Sequence, residues 1–360
     1  MASPLTGRQW NRTLLARQHL IERIDEDAIE VLDRCVGLQS QDPQAAFFGL
    51  WSRIDGFDPV ELDDLLSDRE VVRMTLQRGT VFLMDALDAR WIRRLLQPGL
   101  DAVATRSHTR QLRDVDVDEV VGWASGLFTG DDASSPIPAK TLRDALAAHW
   151  PDESVDALIA LVRNGLPLVQ APPRGLWKRS GGLRYQLLDR WIGPGEPGVT
   201  GDEARKDLIR MYLRGFGPAT VAAVQTWSGL TGLGPLMEQM DADWELCRLT
   251  GPAGQPLFDL DGLPLSDDET VPVRFVAPFD NVLVANADRA RIADPDVYAQ
   301  TVTPNGISPG FVLIDGRLSA TWRLVAGRVA LTGLRDLQPA ERAEAEREAA
   351  VLQEFADGRG

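Results

Sequence analysis

Helical segments followed by two short strands around a turn recur along this chain, and that repeat restricts the fold more than any other feature. In the first instance helical spacing runs through Trp10, Leu14, Leu15 and His19, with Thr6 as the expected N-cap. Further helices are expected over 27–35, over 45–54, and from Asp58-Pro59, which puts proline at the first position, where a helix tolerates it. The segments 71–76 and 81–84 then read as strands flanking Arg78-Gly79-Thr80. Helices followed by such a hairpin describe a winged helix.

The unit returns after 131–136, a linker by composition. Helices are expected over 141–149 and 154–164, and strands over 166–170 and 183–187 enclose a glycine-rich wing. A third unit starts at Thr200, with Glu203 three residues later as in a capping box. Its helices over 204–213 and 221–228 are separated by a turn over 214–220, the helix-turn-helix pattern. Past residue 270 short strands dominate, with Asp315-Gly316 and Ala326-Gly327 as hairpin turns, and a charged helix closes the chain over 339–355. The expected architecture is α+β: winged-helix domains over 1–130, 131–199 and 200–270, then a β-rich, barrel-like region over 271–360 that includes the terminal helix.

A net charge of −15 argues against indiscriminate nucleic-acid binding, but the charge is uneven. Between 161 and 190 six basic residues face one acidic residue, Asp189; between 231 and 270 nine acidic residues face Arg248 alone. Cys35 and Cys247 lie far apart, as do His19, His108 and His149, so neither a metal nor a redox spacing is present and no cofactor is expected. The first ten residues lack the apolar core of a signal peptide and no apolar run reaches the length of a membrane span, which sets the expectation of a cytoplasmic protein without a membrane partner.

Gln39 and Gln41 stand two residues apart in Gly37-Leu38-Gln39-Ser40-Gln41-Asp42-Pro43-Gln44. In a helix such residues point about 200° apart; in an extended segment they share one side. Pro43 disfavours helix at Asp42, so the spacing predicts two amides presented to one small volume. Paired amides hold a water molecule or a base edge but do not titrate. The same alternation turns Asp42, the rival candidate for a base, away from the pair. From spacing alone, a loop in which the glutamines satisfy backbone groups stays open.

These landmarks in this order resemble the AlkZ/YcaQ-like winged-helix DNA glycosylases. Gly37-Leu38-Gln39-Ser40-Gln41 with Gly49-Leu50-Trp51-Ser52-Arg53 is similar to that family's Gln-Φ-Gln motif, and Arg78-Gly79-Thr80 to its Arg-Gly-Thr. Phe216-Gly217-Pro218-Ala219-Thr220 with Trp227-Ser228-Gly229-Leu230 resembles its third helix-turn-helix. Phe279-Asp280-Asn281, Leu313-Ile314-Asp315-Gly316 and Thr321-Trp322-Arg323 resemble its carboxy-terminal β region. Ser40 departs from the apolar residue usual between the glutamines, and Phe82 stands where many relatives carry histidine.

The resemblance implies hydrolysis of the N-glycosidic bond of an alkylated purine in duplex DNA, with Gln39 and Gln41 as the catalytic residues and no metal. N7 alkylation puts positive charge on guanine, so the base leaves readily; a positioned water and stabilisation of an oxocarbenium-like sugar remain to be supplied. Amides suit that task. Lys140, Lys178 and Lys206 are the only lysines and none is near the motif, so a monofunctional hydrolase is expected over a Schiff-base lyase. Few tyrosines and no dense aromatic box favour lesion reading within the duplex over deep base flipping, which suits bulky N7-guanine adducts. Relatives of this type often defend producers of DNA-alkylating natural products, implying base excision repair or self-resistance.

The wing supplies the leading DNA contacts: Arg174, Lys178, Arg179 and Arg184 for phosphates and Trp177 for the sugar–phosphate wall or a groove edge. A solvated hairpin with Trp177 packed on its own domain is the alternative. Arg78, beside Arg73 on the first hairpin, serves equally as a phosphate contact or a structural ion pair. Three linked winged helices could embrace DNA as a monomer. The rival from another class is a non-catalytic transcriptional regulator, but 221–230 contains no lysine or arginine, poor chemistry for reading a major groove.

Overall fold

Thr6 forms a complete capping box: its Oγ1 accepts from the Gln9 N–H at 3.0 Å and its own N–H donates to Gln9 Oε1 at 3.1 Å. The box starts α1 (Gly7–Arg17) in a computed structural model that describes residues 3–108, 112–113, 115–130, 135–267, 270–303 and 306–358. Residues 131–134 of the expected linker, and the side chain of His108, lie outside the described residues. The chain divides into two units, one built from Met1–Pro59, Lys206–Trp227 and Thr231–Gly360, the other from Val60–Arg205 and Ser228–Leu230.

The first unit opens with α1, α2 (Ala28–Arg34), β1 (Leu38–Gln39) and α3 (Ala45–Trp51). After α4 (Pro59–Ser67) the second unit contributes β2 (Val71–Thr75), β3 (Val81–Asp85), α5 (Ala86–His108), α6 (Val117–Thr129) and β4 (Ile137–Pro138). It continues through α7 (Ala139–His149), α8 (Val155–Gly165), β5 (Leu168–Gln170), β6 (Arg184–Leu187) and α9 (Leu188–Trp191). Its strands lie in the order β3-β2-β5-β6-β4, antiparallel, so the two hairpins expected from sequence share one sheet through Met74 opposite Val169. Every residue of β2 is buried, which is why this strand sits between neighbours rather than at an edge. Beneath the helices Phe128, Leu142, Leu146, Leu158 and Leu161 form a continuous apolar core.

The chain returns to the first unit through α10 (Gly201–Phe216) and α11 (Val221–Ser228). The helix runs to Phe216, beyond the 213 expected, and Gly215 belongs to it: a Cβ there would sit 2.2 Å from the Arg34 carbonyl oxygen. Only glycine allows α10 to approach the end of α2 that closely. Next come α12 (Gly234–Ala242) and an antiparallel hairpin, β7 (Leu246–Thr250) and β8 (Pro256–Leu260). Ala219 and Phe258 exchange backbone hydrogen bonds of 2.9 Å, tying the helix-turn-helix to this hairpin. Buried Arg291 donates to the carbonyls of Phe216 at 2.7 Å and Trp10 at 2.6 Å, fastening α1 to the same corner.

The carboxy-terminal part comprises β9 (Arg274–Val276), α13 (Pro295–Ala299), β10 (Gly310–Ile314), β11 (Arg317–Val325), β12 (Arg328–Gly333) and α14 (Pro339–Asp357). Its sheet has the order β12-β11-β10-β9 and is open; no barrel closes it among the described residues. The fold is thus mixed α+β. Among the described residues no helix is long and apolar enough to cross a membrane.

Candidate active site

The glutamine segment follows a tight reversal. After α2 the backbone passes through Val36 and Gly37 at φ 52° and 76°. A β-branched residue in the left-handed region costs on the order of 1–3 kcal/mol and persists only where its surroundings hold it there. Strand geometry then lasts only to Gln39, which is 7 % exposed. Ser40 is fully buried, its hydroxyl 3.4 Å from the Asp42 carbonyl oxygen. Asp42 Oδ1 accepts from the Gln44 N–H at 2.9 Å, an Asx turn that leads into α3.

This turn changes which side chains meet. Gln41 and Asp42 are both exposed and both line one cavity of about 440 Å³, whereas Gln39 does not line it. Alternation is expected to turn Asp42 away from Gln41, but a period of two holds only while the backbone stays extended, and strand geometry ends at Gln39, before the Asx turn at Asp42. Gln39 and Gln41 accordingly sit in different surroundings, one buried and one on the cavity wall.

The remaining walls come from distant parts of the first unit. Phe48 projects from α3, Phe279 from the turn after β9, and Trp322 and Arg323 from β11. The Phe48 ring meets Trp322 edge-on with centroids 5.2 Å apart, and the Trp322 indole N–H donates to the Val276 carbonyl at 2.9 Å. Gly310 leaves room for that indole, since a Cβ at 310 would come within 2.1 Å of the ring. The family resemblance marks Phe279, Trp322 and Arg323; Phe48 adjoins the Gly49–Arg53 segment but carries no expected role of its own.

A buried ion pair clamps these walls. The Arg53 guanidinium lies 2.9 Å from Asp280 and also donates to the Gly49 carbonyl at 3.0 Å. Ser52 Oγ lies 2.7 Å from the Phe48 carbonyl oxygen and 2.6 Å from that of Phe275, donating to one of them. The polar residues of Gly49-Leu50-Trp51-Ser52-Arg53 thereby lock α3, which carries Phe48, to β9 and to the turn that carries Phe279. Burial pushes the Cys35 thiol up to about 11, and burial with repulsion from Arg34 and Arg53 pushes His19 down to about 4. Near neutral pH the thiol stays protonated and the imidazole neutral, so neither adds charge to this region.

Asp42 and Arg323 are the charged walls of the cavity and Gln41 its amide, alongside apolar surface from Phe48, Phe279 and Trp322. Such a set offers an amide and a carboxylate as hydrogen-bond acceptors beside apolar surface, with the Arg323 charge opposite in sign to that of Asp42. Among the described residues no group of three or more His, Cys, Asp or Glu is placed to hold a metal ion.

The sequence-predicted DNA contacts lie in the second unit. Lys178 and Arg179 are exposed, while Arg174, Trp177 and Arg184 are half-buried. The Trp177 backbone N–H donates to Asp63 Oδ1 at 2.7 Å, and Lys178 Nζ stands 5.2 Å from the Trp177 ring centroid. Burial raises the Asp63 carboxyl above its usual range, opposed by the Trp177 N–H and the Arg179 charge. Arg184 donates to the Pro136 carbonyl at 2.9 Å. Arg78 has a left-handed backbone and holds its guanidinium 5.7 Å from the Phe82 ring centroid. Arg73 is buried and hydrogen-bonded to Gln170, a structural role.

A family model for AlkZ-like DNA glycosylases matches residues 32–356. A curated relative from Streptomyces sahachiroi, described as an interstrand DNA cross-link repair glycosylase, is 25 % identical over 354 residues, covering 93 % of this chain and 92 % of its own. The solved structure of the Streptomyces sahachiroi DNA glycosylase AlkZ superposes with a TM-score of 0.79 at 21 % identity, covering 99 % of this chain and 98 % of that one.

Proposed function

This chain belongs to the AlkZ-like DNA glycosylases, and from that premise we propose that it hydrolyses the N-glycosidic bond of cationic N7-alkylguanine in duplex DNA, working as a monofunctional hydrolase and as a monomer. The observation that carries the reading is Gln41 on the wall of the aromatic-lined cavity. An amide carbonyl there accepts a hydrogen bond from the attacking water and directs its dipole at the positive charge growing on the sugar. The substrate brings its own leaving-group charge, so the site needs no strong general acid. Gln39 acts beside Gln41 from its buried position and fixes the extended segment.

The cavity's volume and open apolar walls suit bulky adducts as well as a methyl group, consistent with repair of natural-product lesions, including self-resistance to a genotoxin. Cross-link unhooking, the activity named for the relative, is a natural extension to this chain. The three groups of helices and strands are read as three winged-helix domains, the second presenting its basic wing to DNA.

The test is release of 7-methylguanine, then of bulky N7-guanine adducts, from defined duplexes. Failure to release any of them, with DNA binding retained, would sink the reading. The wing makes a separate prediction. Replacing Lys178 and Arg179 together by glutamine should reduce the slope of log K against log salt by about 2, two phosphate contacts at about 0.9 each. An unchanged slope would move the interface elsewhere.

A further inference from the structure

The glutamines leave one requirement of the reaction unmet. Hydrolysis adds water across the bond, and the water's proton needs an acceptor that an amide near neutral pH cannot be. Asp42 is the acidic side chain lining the cavity, adjacent in sequence to Gln41 and on the same wall. Its Oδ1 is committed to the Gln44 N–H, while Oδ2 has no hydrogen-bond partner among the described residues. The Asx turn thus anchors one carboxylate oxygen and leaves the other uncommitted on an exposed residue that lines the cavity. A carboxylate fixed at one oxygen is a better-oriented acceptor than one on a free rotor.

We propose that Asp42 is a catalytic residue, the proton acceptor for the water that Gln41 orients. The inference rests on the glycosylase reading above. In the step, the C1′–N9 bond breaks with its electron pair passing to N9, which neutralises the cationic alkylated base. A C1′–O bond forms from the water oxygen, and the water proton passes to the Asp42 carboxylate. Before that transfer the same negative charge stabilises the oxocarbenium-like sugar.

Asp42→Asn is the informative variant, because the amide oxygen can still accept from the Gln44 N–H and preserve the turn while charge and basicity are lost. Single-turnover release of 7-methylguanine from a methylated duplex should fall about 100-fold in Asp42→Asn, the usual scale of general base catalysis. Duplex affinity and melting temperature should stay at wild-type values, whereas Asp42→Ala, which also breaks the turn, should lose melting temperature as well. Wild-type release by Asp42→Asn overturns the proposal. So does a rate loss matched by an equal loss of affinity or melting temperature, which would assign Asp42 to the turn alone. Absence of release by the unmodified protein would instead overturn the substrate reading, and is seen before any variant is made.

Discussion

Gln41→Ala is expected to slow single-turnover release of 7-methylguanine about 1000-fold, at the upper end of what losing one preorganised electrostatic partner costs. That corresponds to about 4 kcal/mol of lost transition-state stabilisation. The magnitude follows from the proposed role: Gln41 is exposed on the cavity wall, so truncating it removes the group proposed to orient the water without opening a hole in the core. Melting temperature and duplex affinity should therefore hold. Gln39→Ala should behave differently, because Gln39 is buried; it should lower the rate and also destabilise the fold by about 1–3 kcal/mol, the range for disturbing a buried polar group. Comparing burst rates with denaturation midpoints separates the two. Equal rates for Gln41→Ala and wild type would remove the amide from the mechanism.

How much of this was legible in the sequence depended on whether the determining interactions were local. Thr6 as the N-cap of α1, the helix that starts at 154 and the strand–turn–strand around Arg78-Gly79-Thr80 are decided within a few residues, and the structure bears each out. Reading the glutamines as a strand holds for Gln39 and lapses before Gln41, where the chain leaves strand geometry and enters the bend that the Asp42 carboxylate closes on the Gln44 N–H. The long helices α5 and α6 went unassigned, as did the hairpin β7–β8, whose short strands carry charged residues and whose pairing with Ala219 spans some forty residues. Nor could spacing reveal that both hairpins of the second unit join at Met74 and Val169, nearly a hundred residues apart. The cavity is the extreme case. Its walls join the segment around Gln41 to carboxy-terminal stretches that begin more than two hundred residues later, and of those later stretches only the ones carrying Phe279 and Trp322 were marked, by the resemblance.

Asp280→Ala is expected to destabilise the protein by about 3–5 kcal/mol, the cost of leaving a buried charge without its partner. Both side chains of the pair are essentially inaccessible, at 0 % for Arg53 and 1 % for Asp280. Their mutual attraction raises the Arg53 guanidinium above its usual value against the opposing effect of burial, so Arg53 stays charged in the fold. Removing the carboxylate leaves that charge with neutral partners such as the Gly49 carbonyl, the Gln18 amide oxygen and the protonated Cys35 thiol. Asp280→Asn, which keeps the shape but loses the charge, should fall between wild type and Asp280→Ala. The double substitution Arg53→Met with Asp280→Leu should be milder than Asp280→Ala alone, because it removes the unpaired charge and its desolvation cost together. Urea denaturation at fixed pH reads all three. Activity supplies the second readout, because the pair clamps the turn that carries Phe279 against the helix that carries Phe48. Residual folded Asp280→Ala should release 7-methylguanine more slowly although neither clamp residue lines the cavity. A loss below about 1 kcal/mol would mean that water or rearranged partners satisfy Arg53 within the fold, and that the walls are held by their aromatic packing instead.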